Sequence, residues 1–351
     1  MDFFQPLSRL FPRLFALVAT MLLPCLLTST IVACSVDDDA DDNAIVKKMM
    51  QQDAPADNSD CYFRNNPLPY GKGRLRVLAV GNSYTIDGIT YLPKILKDAG
   101  VGDSKYSLYY VVSSGASLQY WYERLLSGET VSPLFAGGTP MPVHDGEFSE
   151  LLSADWDVIV FQQYSGAATN YDTFNPHLRG LIDGVLGHCT NPDVALAWQL
   201  AWSYADGFSD RLNNVSRWEK ICVAASRMVV YDGIDIIIPT GTAIQNARNT
   251  ELNGEGQLTR DGTHLDIGVG RYIAACAWAQ TLFAPLFVFS VDTLPTVTSL
   301  PESELSAYPY PQQQVTAQNR ALCQKSAVMA VESPFEVADG SPITGIRDIR
   351  P

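Results

Sequence analysis

From residue 74 onward, short continuous apolar runs alternate with stretches whose apolar residues recur at helical spacing. Arg74-Leu-Arg-Val-Leu-Ala-Val80 ends at Gly81 and reads as a buried strand, because it lacks period-two alternation and is rich in branched residues. Residues 89–98 place Ile89, Leu92, Ile95 and Leu96 on one helical face, with Gly100 as a stop. Tyr106–Val112, Trp156–Phe161, Val194–Trp198 and Ile234–Ile238 read as four further strands. Leu118–Leu126, His177–Leu186 and Trp218–Tyr231 read as intervening helices, and Gly268–Leu282 and Val315–Val331 as closing ones. Strands separated by helices imply parallel βαβ units, hence an α/β fold with a central, mostly parallel five-stranded sheet covered on both faces. No composition break after residue 70 divides the body, so residues 71–340 form one predicted domain and residues 341–351 a tail. Ligands of such sheets bind beyond the carboxyl ends of the strands, so functional residues are expected there.

The first 70 residues follow another logic. Arg9 and Arg13 precede an apolar run from Leu14 to Ala33, the pattern of a secretory signal. The run closes on Ile31-Val-Ala-Cys34, which resembles a bacterial lipobox, with Cys34 as the lipid-modified residue. Pro24 and the Ser/Thr cluster at residues 28–30 argue against a spanning helix. Residues 1–33 are therefore expected to be a lipoprotein signal peptide and residues 34–70 an acidic tether. Its Ser-Val-Asp-Asp-Asp-Ala-Asp-Asp start resembles an acidic export tag of surface lipoproteins, or serves as a plain flexible linker. The expected location is the outer membrane of a bacterium, through the lipid anchor.

Apolar residues make up 46% of the 351 and charged residues 18%, which supports a large core and excludes wholesale disorder. The net charge of −14 argues against nucleic acid as the main partner. Of 7 cysteines, Cys25 falls in the signal and Cys34 would carry lipid. Cys61, Cys189, Cys222, Cys276 and Cys323 remain, an odd set that leaves at least one free thiol. Cys222 and Cys276 sit in apolar helical patterns and are expected to be buried and inert. No cysteine or histidine cluster has metal-ligand spacing, and no Gly-x-Gly-x-x-Gly follows the first strand. No metal or organic cofactor is therefore expected.

Two distant segments carry reactive side chains. Gly81-Asn82-Ser83-Tyr84 puts a serine hydroxyl at the turn after the first strand, where helix-terminal N–H groups favour developing negative charge. A hydroxyl there is either a nucleophile or a simple helix cap, and as a nucleophile it needs a base. Arg260-Asp261-Gly-Thr-His264-Leu265 supplies one: a carboxylate three residues before a histidine can hold one imidazole nitrogen and leave the other for the serine. Of the 4 histidines (His144, His177, His188 and His264), only His264 has an aspartate at this offset before a predicted helix.

Together these blocks resemble the first and last sequence blocks of the SGNH (GDSL-type) hydrolase superfamily, and in particular a domain-of-unknown-function branch found in bacterial lipoproteins. Phe161-Gln-Gln-Tyr-Ser-Gly166 and Ile238-Pro-Thr-Gly-Thr-Ala-Ile-Gln-Asn246 carry the same likeness. The resemblance implies a flavodoxin-like three-layer α/β/α sandwich, Ser83, His264 and Asp261 as catalytic residues, and an oxyanion hole built from the backbone N–H groups of Ser83 and Gly115. The third donor in that superfamily is an asparagine after the third strand. This chain has Gln162-Gln163 there, and a glutamine amide offers the same donor on a longer arm. Gln163 is the expected donor, with Gln162 second. The implied activity is ester hydrolysis through a serine ester, with O-deacetylation of glycans as a candidate reaction and a small-molecule or glycan ester as substrate. A non-catalytic glycan-binding protein on the same scaffold, a lipase or thioesterase, and an acyltransferase are the competing functions. Tyr84, Trp121, Tyr164, Trp198 and Trp202 lie near these blocks and are expected either to stack on sugars or to pack in the core.

Overall fold

The computed structural model of the chain describes residues 68–338 other than Tyr70, Ser209 and Asp210. The signal sequence, Cys34, Cys61, most of the tether and the predicted tail lie outside the described residues. The chain runs β1 (Leu75–Gly81), α1 (Ser83–Ile89), α2 (Leu92–Asp98), β2 (Tyr106–Val112), α3 (Leu118–Ser127) and β3 (Leu134–Gly138). It continues α4 (Phe148–Leu152), β4 (Val158–Phe161), α5 (His177–His188), β5 (Ala195–Gln199), α6 (Asn214–Asp232) and β6 (Ile236–Ile238). The last part holds α7 (Thr240–Arg248), α8 (Val269–Trp278) and α9 (Arg320–Glu332).

All five expected strands are present, each within about two residues of its predicted bounds. They form one sheet in the order β3-β2-β1-β4-β5-β6, six strands rather than five. The added strand, β3, pairs antiparallel with β2 at the edge, with a register shift between Leu108 and Tyr109. The parallel strands then follow the flavodoxin-like order, whose strand direction of growth reverses between β1 and β4. Helices α1, α2, α7, α8 and α9 pack with one another in one layer, and α3, α4 and α5 in a second. The sheet supplies the middle of the core: every residue of β4, β5 and β6 is buried, as continuous apolar runs predict.

Three of these helices escaped the sequence pattern, the short α4 among them. Helix α1 begins at Ser83, ahead of the predicted start at Ile89, and α7 occupies residues 240–248. Both have polar residues on buried faces, so neither shows an amphipathic stripe. All nine residues of α7 are buried, including Gln245, Asn246 and Arg248. Cys222, Cys276 and Cys323 are buried free thiols whose burial pushes them up from the ordinary range, and Cys189 is a half-buried free thiol.

Candidate active site

The reversal point between β1 and β4 is where the serine lies. Gly81 closes β1, and a Cβ on it would come within 2.3 Å of Thr85 Oγ1 and 2.6 Å of Gln162 Nε2, so the turn admits only glycine without rearrangement. Asn82 follows in an extended conformation and caps α1, its Oδ1 accepting from Tyr84 N at 2.9 Å. Because Asn82 takes the capping role, the Ser83 hydroxyl is not committed to the helix end. Its Oγ lies 2.9 Å from His264 Nε2.

The histidine arrives from a loop 181 residues away in sequence. Asp261 Oδ2 meets His264 Nδ1 at 2.7 Å, while its Oδ1 accepts from the backbone N–H of His264 at 2.7 Å and of Thr263 at 3.0 Å. Burial pushes the Asp261 carboxyl up, but these hydrogen bonds outweigh it and leave the group below the usual carboxylate range. Asp261 is thus ionised where it touches the ring. It favours a proton on Nδ1 and leaves Nε2 to accept the serine proton.

The loop that carries this pair is tightly held. Arg260 N donates to His264 O at 2.8 Å, and Thr259 and Leu265 form an antiparallel bridge. The Thr263 carbonyl accepts from Trp202 Nε1 at 2.8 Å and from the Tyr84 hydroxyl at 3.0 Å. Those two rings stack at 3.8 Å between centroids. Burial pushes the Tyr84 phenol well above its ordinary range, so it remains a neutral donor. Gly262 has φ +94, and a Cβ on it would lie 2.3 Å from the Phe208 ring. Gly262→Ala is expected to cost about 1–2 kcal/mol through the left-handed backbone alone. It should lower the thermal midpoint, checked by a melting curve beside that of the parent.

The expected oxyanion donors lie in two turns next to Ser83. The N–H groups of Ser83, the first residue of α1, and of Gly115 have no acceptor among the described residues. Gly115 adopts φ +63, and its loop is tied to the Ser83 turn by Asn82 Nδ2, which donates to Ala116 O at 2.9 Å. The expected third donor is a correction. Gln163 Nε2 donates to Thr173 O at 3.0 Å and to Thr173 Oγ1 at 3.2 Å, so the amide is engaged with Thr173. Its Oε1 accepts from Leu118 N and Tyr164 N, which joins the start of α3 to the loop after β4. Gln162 is no substitute. Its Nε2 donates to Asn82 Oδ1 at 2.7 Å, and its Oε1 accepts from Gln199 Nε2 at 3.2 Å, within a buried chain that continues to Trp278. The glutamines build the frame around the site, and the backbone N–H groups of Ser83 and Gly115 stay without an acceptor among the described residues.

The aromatic residues divide sharply. Tyr84, Trp121, Trp198 and Trp202 are buried, each at 2% exposure or less, and serve packing. Tyr164 is 41% exposed beside Gly115, with its ring against Gly166. Phe208, 44% exposed against Gly262, is a further open ring and was not singled out from the sequence. Asp87, Arg260 and Arg271 also carried no visible signal, beyond an aspartate placed four residues after the serine. The Asp87 carboxylate meets both guanidinium groups and the Leu265 N–H.

The α/β/α sandwich, with a serine at the reversal point and an Asp-x-x-His loop reaching it, has the arrangement that the resemblance to SGNH hydrolases implies. Residues 76–296, more than half of the chain, match the model of a domain of unknown function, DUF4886, and the chain belongs to that family. It is similar to a solved DUF4886 family protein from Bacteroides uniformis, with 25% identity and a TM-score of 0.62 over 76% of this chain and 97% of that one. More distant is an acetyl xylan esterase, with 17% identity and a TM-score of 0.41 over 58% of this chain and 98% of that one. An acetylxylan esterase from Geobacillus stearothermophilus stands at 12% identity and a TM-score of 0.41, over 64% of this chain and 98% of that one. No curated protein matches the sequence.

Proposed function

We propose that this protein is a serine esterase that removes acyl groups, acetyl above all, from glycans. The observation that carries the reading is the continuous Ser83–His264–Asp261 hydrogen-bond chain, with contacts of 2.9 and 2.7 Å. In the proposed reaction Ser83 Oγ attacks the ester carbonyl carbon while its proton passes to His264 Nε2. Asp261 stabilises the imidazolium that results. The backbone N–H groups of Ser83 and Gly115 hold the oxyanion. Collapse expels the alcohol, which takes the proton from His264 and leaves an acyl-serine. Water then attacks that ester, again giving its proton to His264, and the acid departs as Ser83 is restored. Anchoring through Cys34 belongs to the same proposal and is supported by the basic, apolar and Ala-Cys pattern of the N-terminus.

The glycan part rests on the two open rings. Tyr164 lies beside Gly115 and Phe208 beside Gly262, and each exposed ring offers an apolar face of the kind that stacks on a pyranose. The test is acetate release from a panel of acetylated polysaccharides, comparing the parent with His264→Ala and Tyr164→Ala. Release by the parent and none by His264→Ala is expected. Tyr164→Ala should raise KM for the polymer by about 3- to 10-fold, the scale of one aromatic contact, and leave p-nitrophenyl acetate unaffected. Rates that rise with acyl chain length, and no acetate from any polymer, would replace glycans with lipids as the substrate class.

A further inference from the structure

Asp87 sits on α1 one turn beyond Ser83, so the two residues share a face of the same helix. Its carboxylate is 1% exposed, in a region where an unpaired charge would be strongly disfavoured. Four hydrogen bonds reach it from three groups. Arg260 Nη1 lies 2.8 Å from Oδ2 and 3.1 Å from Oδ1, Arg271 Nε lies 2.8 Å from Oδ1, and Leu265 N lies 2.9 Å from Oδ2. Arg260 immediately precedes Asp261, and Leu265 immediately follows His264. Arg271 belongs to α8, the helix that the loop leads into. The same Arg260 Nη1 also donates to Leu265 O at 2.7 Å, which closes the base of the loop.

We infer that Asp87 is a positioning residue for the proposed esterase. It joins the helix bearing the nucleophile to both flanks of the loop bearing the base, and so sets the distance from Ser83 Oγ to His264 Nε2. Among the hydrogen bonds of the described residues, no other α1 side chain reaches both residues that bracket the Asp261–His264 pair. Asp87 touches no reacting atom and acts only through Arg260, Leu265 and Arg271. The inference rests on the esterase reading. It goes beyond it in assigning a role to a carboxylate outside the Ser83–His264–Asp261 chain.

The decisive measurement is kcat and KM for p-nitrophenyl acetate with the purified full chain, as the parent, Asp87→Asn, Arg271→Lys, the double variant and Ser83→Ala. A displacement of about 1 Å between reacting groups costs on the order of 10²-fold in rate, so Asp87→Asn should lose about that much in kcat. Its KM should stay within about twofold, because the groups that face substrate are untouched. Arg271→Lys keeps the charge but loses the fixed fork, and should lose kcat by a smaller factor. The double variant should lose less than the product of the two, because both act through one contact. Asp87→Asn with the parent's kcat would overturn the inference while Ser83→Ala remained inactive and the esterase reading stood. Equal turnover by parent and Ser83→Ala would overturn both. If Asp87→Asn fails to fold, as read by circular dichroism, Arg271→Lys decides: a kcat loss at constant KM supports the role, and an unchanged kcat removes it.

Discussion

Ser83→Ala is expected to fold as the parent does and to lose turnover of p-nitrophenyl acetate by roughly 10⁴–10⁶-fold, the range seen when an activated nucleophile is deleted. The structural cost should be small. Among the described residues the Ser83 hydroxyl has a single hydrogen-bond partner, His264 Nε2, and the cap of α1 comes from Asn82. Alanine is favourable at a first helical turn, so the helix gains nothing from the serine. The N–H groups of residues 83 and 115 would persist, and so would a weak residual rate from oxyanion stabilisation alone. A rapid-mixing experiment adds a second reading. The parent should release a burst of p-nitrophenol equal to one acyl-serine per chain, and the variant none. A variant as fast as the parent would leave the hydrogen-bonded pair without a catalytic role.

The second large effect concerns which nitrogen carries the proton. Asp261→Asn can keep the acceptor that receives the backbone N–H groups of Thr263 and His264, so the loop should hold its shape. The other arm becomes an NH₂ donor facing His264 Nδ1, which now must accept. The proton moves to Nε2, and Nε2 can no longer take the proton of Ser83. A kcat loss of roughly 10²–10⁴-fold is expected, with KM little changed, by the tautomer argument established for serine proteases. Stability should respond with a definite sign. The Asp261 carboxyl is held below its ordinary value, so its contribution is full above the unfolded-state pKa of about 3.9 and fades as pH falls through the folded value. Urea unfolding at neutral pH should therefore show the parent more stable than Asp261→Asn, with the difference shrinking in acid. An unchanged difference at low pH would mean that the carboxylate's charge is not what the loop depends on.

The parts of this site that were legible in the sequence share a property: their partners are dictated by local geometry. Asp261 and His264 are three residues apart in a glycine-containing turn, so their contact needs only that turn. Ser83 follows a strand whose apolar run is unmistakable, which puts it at the carboxyl edge of any parallel sheet. Gln163 shows the opposite case. Its amide could face the oxyanion or the neighbouring loop, and the choice depends on where Thr173 comes to rest, ten residues on. Asp87 reads as a polar residue on a short helix, and nothing local indicates two arginines from a segment more than 170 residues away. Strand β3 has Leu134 and Phe135 exposed and two glycines at its end, so it shows no buried run and forms only because the edge of β2 is open. Helix α7 follows a proline and begins Thr-Gly-Thr, which reads as a loop. Gly241 is nonetheless needed, because a Cβ there would meet Ala201 O at 2.1 Å.

By itself, then, the chain's order of apolar runs determined the parallel α/β core and the edge at which reactive residues gather. Those are consequences of periodicity and of short-range turns, which act within a few residues. Only the tertiary structure decided which amides face the site, which aromatic rings remain open to a ligand, and which buried charges meet. Each of those depends on competition among distant partners for a limited number of hydrogen bonds and a limited volume, and that competition is settled when the layers pack.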